Sequence, residues 1–399
     1  MRFFIRPLDT QFYRDGRPFD AGTESEGKSN FLPYPRTLYG ALRACILSHY
    51  SDWQNWPNLP EVQSVIGSSP SQFGSLSIRG PVLAKDLSGD LSNICPFYPI
   101  PRDLVKTKDT RICLLLKPLI DDPLLKNSTN FQYNGVYPCR PDSTQHVEEI
   151  EGYLLSHNYL FQYLMGEFPQ EEDKTILEKT DNIFQFEPRL GIGLDPKTRT
   201  VKLNLLYSVN HLRMNDNVGL IVDADNDNGL LLKVGMFRLG GDSRPAGYTK
   251  IEDGDWAQII KNVKERITEE GKFKIYFITP AIFKNGWYPD FLSNQNGYLE
   301  GNLPGTFLCA RLISACIGRS ISIGGFDIIK KHPKEIQRAV PAGSVYFFQF
   351  MDWNSWNDEQ RKCNVSLLLD KFFYKSIADQ TQPQNYLREG FGLPLIGGW

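Results

Sequence analysis

The spacing of apolar residues divides this chain into short strands, a few helices and long polar connections rich in proline. Residues 3–6 are apolar enough for a strand that stops at Pro7. Apolar residues then recur at Leu38, Ala41, Leu42, Cys45 and Ile46, the spacing of a single helix face. Pro33 and Pro35 announce that helix, and Thr37 is its predicted N-cap. Arg43 falls off the apolar stripe and is predicted to stay accessible. Between strand and helix lies a cationic loop carrying Arg14, Asp15, Gly16, Arg17 and Pro18.

Further on, residues 76–83 and 111–116 read as strands, and 147–165 as a helix with Ile150, Leu154, Leu155, Tyr159 and Leu164 among its apolar positions. A long structureless loop is uncommon in a compact domain, so 75–200 is read as an inserted, partly structured subregion. Residues 203–214 and 218–222 form a predicted hairpin around Asn215, Asp216 and Asn217, residues that tolerate the left-handed turn region. A short helix over 229–237, the Gly-rich run Leu239 to Arg244 and a strand over 246–251 complete a β-α-β-β-α-β order.

The second half repeats the scheme. A helix over 255–270 leads to strands over 273–279, 306–316, 320–329 and 344–350. A helix over 357–376, with Val365, Leu368, Leu369 and Phe372 inward, precedes a Gly-rich tail from Gly390 to Gly398. The echo predicts an α+β protein of two tandem ferredoxin-like domains, 1–253 and 254–399, the first holding the insertion.

Composition narrows the function. Forty-four Lys and Arg against 46 Asp and Glu leave a net charge of −2, so RNA binding must come from local clusters rather than a global field. No apolar run is long enough to cross a bilayer, and MRFFIRPL lacks a signal peptide's apolar core, so a cytoplasmic protein is expected. The seven cysteines include no C-x-x-C and read as small buried hydrophobes. The Asp-rich run from Asp223 to Gly229 misplaces the glycine of a calcium loop and has Val234 where the bidentate Glu belongs. Gly22 to Ser29 fits the phosphate-loop pattern, yet Pro33 and Pro35 come soon after it, and Glu24 and Glu26 face any polyphosphate. No metal or cofactor is expected.

Glycine allows a backbone to approach a ligand closely, and Arg14, Arg17, Lys28, Arg36 and Arg43 can neutralise phosphates or stack on unpaired bases. Plain turns and surface ion pairs explain the same residues without RNA. Several blocks carry a likeness beyond these features: FYRDGRPFDAG, PYPRTLYGALR, LGGDSR, ITPAIF, IGGFD, PAGSVYFFQF and EGFGLPLIGGW. In this order they resemble the RAMP-superfamily proteins that form the third subunit of the Cmr complex in type III-B CRISPR interference. The likeness runs from residue 12 to the C-terminus and is weak over 75–200.

The resemblance implies a noncatalytic, crRNA-binding subunit with two ferredoxin-like domains. It would hold the repeat-derived 5′ tag of the crRNA and dock on the large Cas subunit and the backbone RAMP subunit. By motif position it implies RNA contact at Arg14, Arg17, Arg36, Arg43, Gly240, Gly241 and Arg244, and in the second domain at Gly390, Gly392 and Gly397. The alternative is a metal-free endoribonuclease of the same superfamily, with His49 or His211 as the acid–base group. His49 continues the apolar face of its helix, and no Tyr or Lys at a telling spacing supports either histidine.

Overall fold

In the opening strand, Arg2–Pro7, alternate side chains enter two different cores. Phe3 and Ile5 pack with Leu38, Leu42 and Ile46 of the first helix, Pro35–Ser48, while Phe4 packs with Tyr98, Ile221 and residues of the second half. Each buried Phe or Ile contributes about 1.5–3 kcal/mol. The sheet containing this strand is therefore a middle layer between the first helix and the second half of the chain. The computed structural model describes residues 1–14, 26–50, 53–69, 72–120, 135–169, 177–195, 197–327, 332–378 and 385–399.

That sheet has eight antiparallel strands in the order Leu177–Lys179, Tyr153–Ser156, Ile94–Pro99, Ser77–Asp86, Val218–Asp225, Arg2–Pro7, Pro245–Ile251 and Val234–Arg238. The second sheet has six, in the order Ser293–Gln295, Tyr298–Asn302, Cys309–Cys316, Val345–Phe350, Lys272–Phe277 and Pro394–Gly397. Helices Ala257–Glu270 and Asp358–Phe372 pack beside it, the latter opened by a capping box between Asn357 and Gln360. Val365, Leu368, Leu369 and Phe372 are buried, as their spacing predicts. Among the described residues no helix is long and apolar enough to cross a membrane.

Several expectations fail locally. The first helix is not capped by Thr37: Tyr34 is the N-cap and Pro35 the first helical residue, its fixed φ suiting that place. The helix expected over 147–165 shrinks to His157–Leu164, because Gly152 turns at φ +75° and Tyr153–Ser156 pairs between two strands. Residues 201–214 and 218–225 do not pair with each other. Val201–Met214 pairs with Phe184–Leu194 in a separate long hairpin, and Val218–Asp225 lies between Arg2–Pro7 and Ser77–Asp86. The short helix expected over 229–237 is absent, since Val234–Arg238 closes the sheet as an edge strand.

The 75–200 region does not stand apart. Its strands Ser77–Asp86, Ile94–Pro99, Tyr153–Ser156 and Leu177–Lys179 lie in the first sheet, while Leu104–Thr107, Cys113–Pro118, Cys139–Pro141 and Val147–Glu149 make a small sheet of their own. Its Asp103 reaches Lys274 of the six-stranded sheet at 3.5 Å, each side chain 1% exposed. The Tyr163 hydroxyl donates to Asp103 Oδ1 at 2.7 Å, and Lys274 Nζ sits 3.6 Å from the centre of the Tyr163 ring. Such a pair is tolerated in the interior only because both ions are also hydrogen-bonded or capped by a ring.

Candidate nucleic-acid interface

The opening loop, the Gly240–Gly241 turn and the long hairpin meet at one place. Gln11 exchanges backbone hydrogen bonds of 2.7 Å with Leu212, and the Gly241 amide donates to the Phe12 carbonyl at 2.7 Å. A Cβ on Gly240 would lie 2.7 Å from that carbonyl, and one on Gly241 would lie 2.8 Å from the Phe12 ring. Glycine is required here because two loops of the protein touch, and Gly240 also sits at φ +76°. The neighbouring Asp242 and Ser243 are at φ 55° and 52°, an unusual cost for non-glycine residues.

Around this junction the hairpin has two unlike faces. Cross-strand pairs Glu187–His211 and Arg189–Val209 lie on the face that also carries Arg213. Arg189 and Arg213 both reach Glu187 at 2.7 Å, and Arg244 reaches Asp9 at 2.6 Å. Arg189 and then Arg213 hold the Glu187 carboxyl below its ordinary value. The Asp9 carboxyl is lowered too, first by the Thr10 amide and then by Arg244, Arg189 and Arg213. Arg14 is exposed and forms a bridge with Ser29, next to exposed Lys28. The other face exposes Leu190, Ile192, Leu194, Val201 and Leu206.

His211 is the residue whose surroundings the sequence hides. It is 3% exposed, stacks on Phe12 and meets Thr10 Oγ1 through Nδ1 at 3.2 Å and Asp242 through Nε2 at 3.6 Å. Burial, then Arg189 and Arg244, pull its pKa below the ordinary value. His49, by contrast, is exposed at the end of the first helix rather than packed on its apolar face. Arg17 lies outside the described residues, as do residues 22–25 of the phosphate-loop pattern. The rest of that pattern opens with strand Glu26–Gly27, paired beside the hairpin, and no helix begins between it and Pro35. In the Asp-rich run, Asp223 pairs with Arg2, Asp225 with Arg79, and Asp227 accepts from the Leu231 amide.

The remaining candidates are turned inward. Arg36 is buried: its Nε donates to both Glu389 oxygens, at 3.2 and 3.1 Å, and its guanidinium lies over the rings of Tyr386 and Phe391. Arg43 is half-buried rather than accessible, because its Nη2 donates to the carbonyls of Ile66, Ser69 and Gln72. Gly390, Gly392 and Gly397 are buried as well. A Cβ at each would meet the carbonyl of Gly80 at 3.0 Å, of Ile377 at 2.0 Å and of Leu164 at 2.6 Å respectively. These glycines let segments of the protein approach one another.

The family model for the CRISPR-associated protein Cas_Cmr3 matches residues 3–399. The chain belongs to the Cmr3 family of CRISPR-associated proteins. It is 28% identical over 180 residues to the CRISPR system CMR subunit Cmr3 of Saccharolobus solfataricus, an alignment covering 44% of this chain and 48% of that relative, so the chain matches about half the relative's length. Solved structures it is similar to include a chain of a type III-B Cmr-beta complex bound to cognate target RNA, at TM-score 0.47 and 17% identity over 92% of this chain and 93% of that one. A chain of a Csm3–Csm4 subcomplex of the type III-A interference complex matches at TM-score 0.37 and 9% identity, over 88% and 93%.

Proposed function

We propose that this Cmr3-family chain is a noncatalytic, crRNA-holding subunit of a type III-B CRISPR interference complex. In that reading it grips the repeat-derived 5′ tag and docks on the large Cas subunit and the backbone RAMP subunit. The observation that carries it is the convergence of Arg14, Lys28, Arg189, Arg213 and Arg244 around the turn fastened to Phe12. Guanidiniums held by carboxylates on one side keep donors for phosphate on the other, with a geometry lysine cannot reproduce. The apolar face of the hairpin offers the docking surface.

Strand order supports the two-unit reading, with 1–253 and 254–399 as diverged ferredoxin-like domains. In the first, 245–251, 2–7, 218–225 and 77–86 lie in the order fourth, first, third, second. In the second, 394–397, 272–277, 345–350 and 309–316 do the same. Each unit retains one of the two helices, the first unit its first and the second unit its second.

The test is Arg14→Ala with Arg17→Ala in the assembled complex. Retention and footprinting of the 5′ tag should weaken while the melting temperature stays nearly unchanged. An unaltered footprint overturns the site. The ribonuclease alternative gains one observation, the Asp242 beside His211, but the imidazole is 3% exposed, which works against attack on a bound strand. Repeat RNA cleaved by the wild type and spared by His211→Ala would decide for it.

A further inference from the structure

A cleft of about 860 Å³ opens on the other face of the first sheet, where the two halves meet. Its floor is built from Arg2, Tyr98, His157, Trp256 and Tyr374. Arg2 is only 9% exposed, and its Nε and Nη2 bond Asp223 at 2.8 and 2.9 Å. Its Nη1 makes no hydrogen bond among the described residues. Trp256 Nε1 is enclosed and also lacks an acceptor. Tyr374 is held at φ 56°, with Arg2 and Arg79 over its ring at 6.0 and 5.2 Å and Trp256 beside it at 5.4 Å. A tyrosine in the left-handed region costs roughly 1–3 kcal/mol, and such strain persists only where the surroundings enforce it.

Floor and rim differ in charge. The floor is close to neutral, because Arg2 is matched by Asp223 and Arg79 by Asp225, yet Arg2 Nη1 has no acceptor among the described residues. The rim carries Asp90, Glu252, Asp253 and Asp255 against Lys250. Hydrogen bonds from Ser88 and Ser92 pull the Asp90 carboxyl down to about 2, so it stays charged. An RNA backbone would bring phosphates against four carboxylates. A free metal ion would meet the Arg2 guanidinium. A peptide fits both zones: its carbonyl oxygen accepts from the floor, and basic side chains on either side pair with the rim.

We propose that this cleft is a docking site for a basic, extended segment of a partner protein, read by the Arg2 guanidinium at the floor and by the carboxylates at the rim. The cleft lies apart from the arginines around Phe12, so the claim stands whether or not those bind RNA.

The test uses the full chain with two labelled probes, a Gly-Arg octapeptide and octauridylate RNA. The peptide should bind, and Glu252→Lys with Asp253→Lys, both exposed positions, should weaken it at least tenfold without altering the melting temperature. Octauridylate affinity should not fall in that variant. A photocrosslinking benzoylphenylalanine at Ser92, on the exposed rim, should capture the peptide, whereas one at Lys362 should not. No peptide binding by the wild type overturns the proposal. So does equal affinity in the charge-reversed variant, capture at both positions, or RNA binding that the variant loses.

Discussion

Removing Arg36 separates a structural arginine from an RNA-contacting one. The Arg36–Glu389 pair has side-chain exposures of 9% and 4% and joins residues 353 positions apart. Truncating one partner leaves the other charge in the interior, which costs about 3–5 kcal/mol, while replacing both with apolar groups is often nearly neutral. Arg36→Ala and Glu389→Ala should each lower stability by that amount. Arg36→Met with Glu389→Leu should cost less than either. Burial raises the Glu389 carboxyl and Arg36 opposes the rise, so without Arg36 the carboxyl favours its proton further. A folded pKa above the unfolded one gives stability that is present at low pH and lost as pH rises. The Arg36→Ala defect should therefore grow between pH 5 and 7.5. Urea unfolding monitored by tryptophan emission measures all of this. Singles within about 0.5 kcal/mol of wild type, the usual range for surface changes, would refute the reasoning. So would a double variant as costly as the sum of the singles.

Two other substitutions probe the interior and the hairpin. Gly392→Ala sets a Cβ 2.0 Å from the Ile377 carbonyl at φ +62°, so it should destabilise by about 3 kcal/mol or more; a stable variant that only loses RNA would show the glycine serves a ligand instead. For His211, a folded pKa below the ordinary 6.5 means its stabilisation is complete above 6.5 and lost as pH falls. The drop in melting temperature from pH 7.5 to 5.5 should shrink in His211→Asn, with an unchanged slope counting against it.

What the sequence reveals is local. The stripe from Leu38 to Ile46 and the inward set Val365, Leu368, Leu369 and Phe372 are read correctly because a helix face is set by near neighbours. Asn215 to Asn217 misleads: Asn217 does take φ 62°, but the strand before it folds back on Phe184–Leu194 and the strand after it pairs with Arg2–Pro7 and Ser77–Asp86, far away in the chain. The arginines and glycines mislead for another reason. A guanidinium bound to a distant Glu389 or to three carbonyls, and a glycine pressed on backbone, leave the same letters as those facing RNA. Among the described candidates the Gly240–Gly241 turn and Arg244 are brought by the fold to the opening loop, and Arg189, Arg213 and His211 join them through a strand pairing that the sequence pattern does not disclose.

The placement of the last strand sets a schedule for synthesis. Gly390 rests on the Gly80 carbonyl, the Gly398 amide donates to Leu164, and Trp399 Nε1 donates to the carbonyls of Phe273 and Phe348. These closures, and the carboxylate that neutralises Arg36, come from residues 389–399, made long after the first helix. At about 5–20 residues per second, the 353-residue gap keeps the first helix waiting roughly 20–70 s for its counter-charge. Throughout that interval the Arg36 guanidinium stands without its carboxylate, although the apolar face of its helix already has the first-half core to pack on.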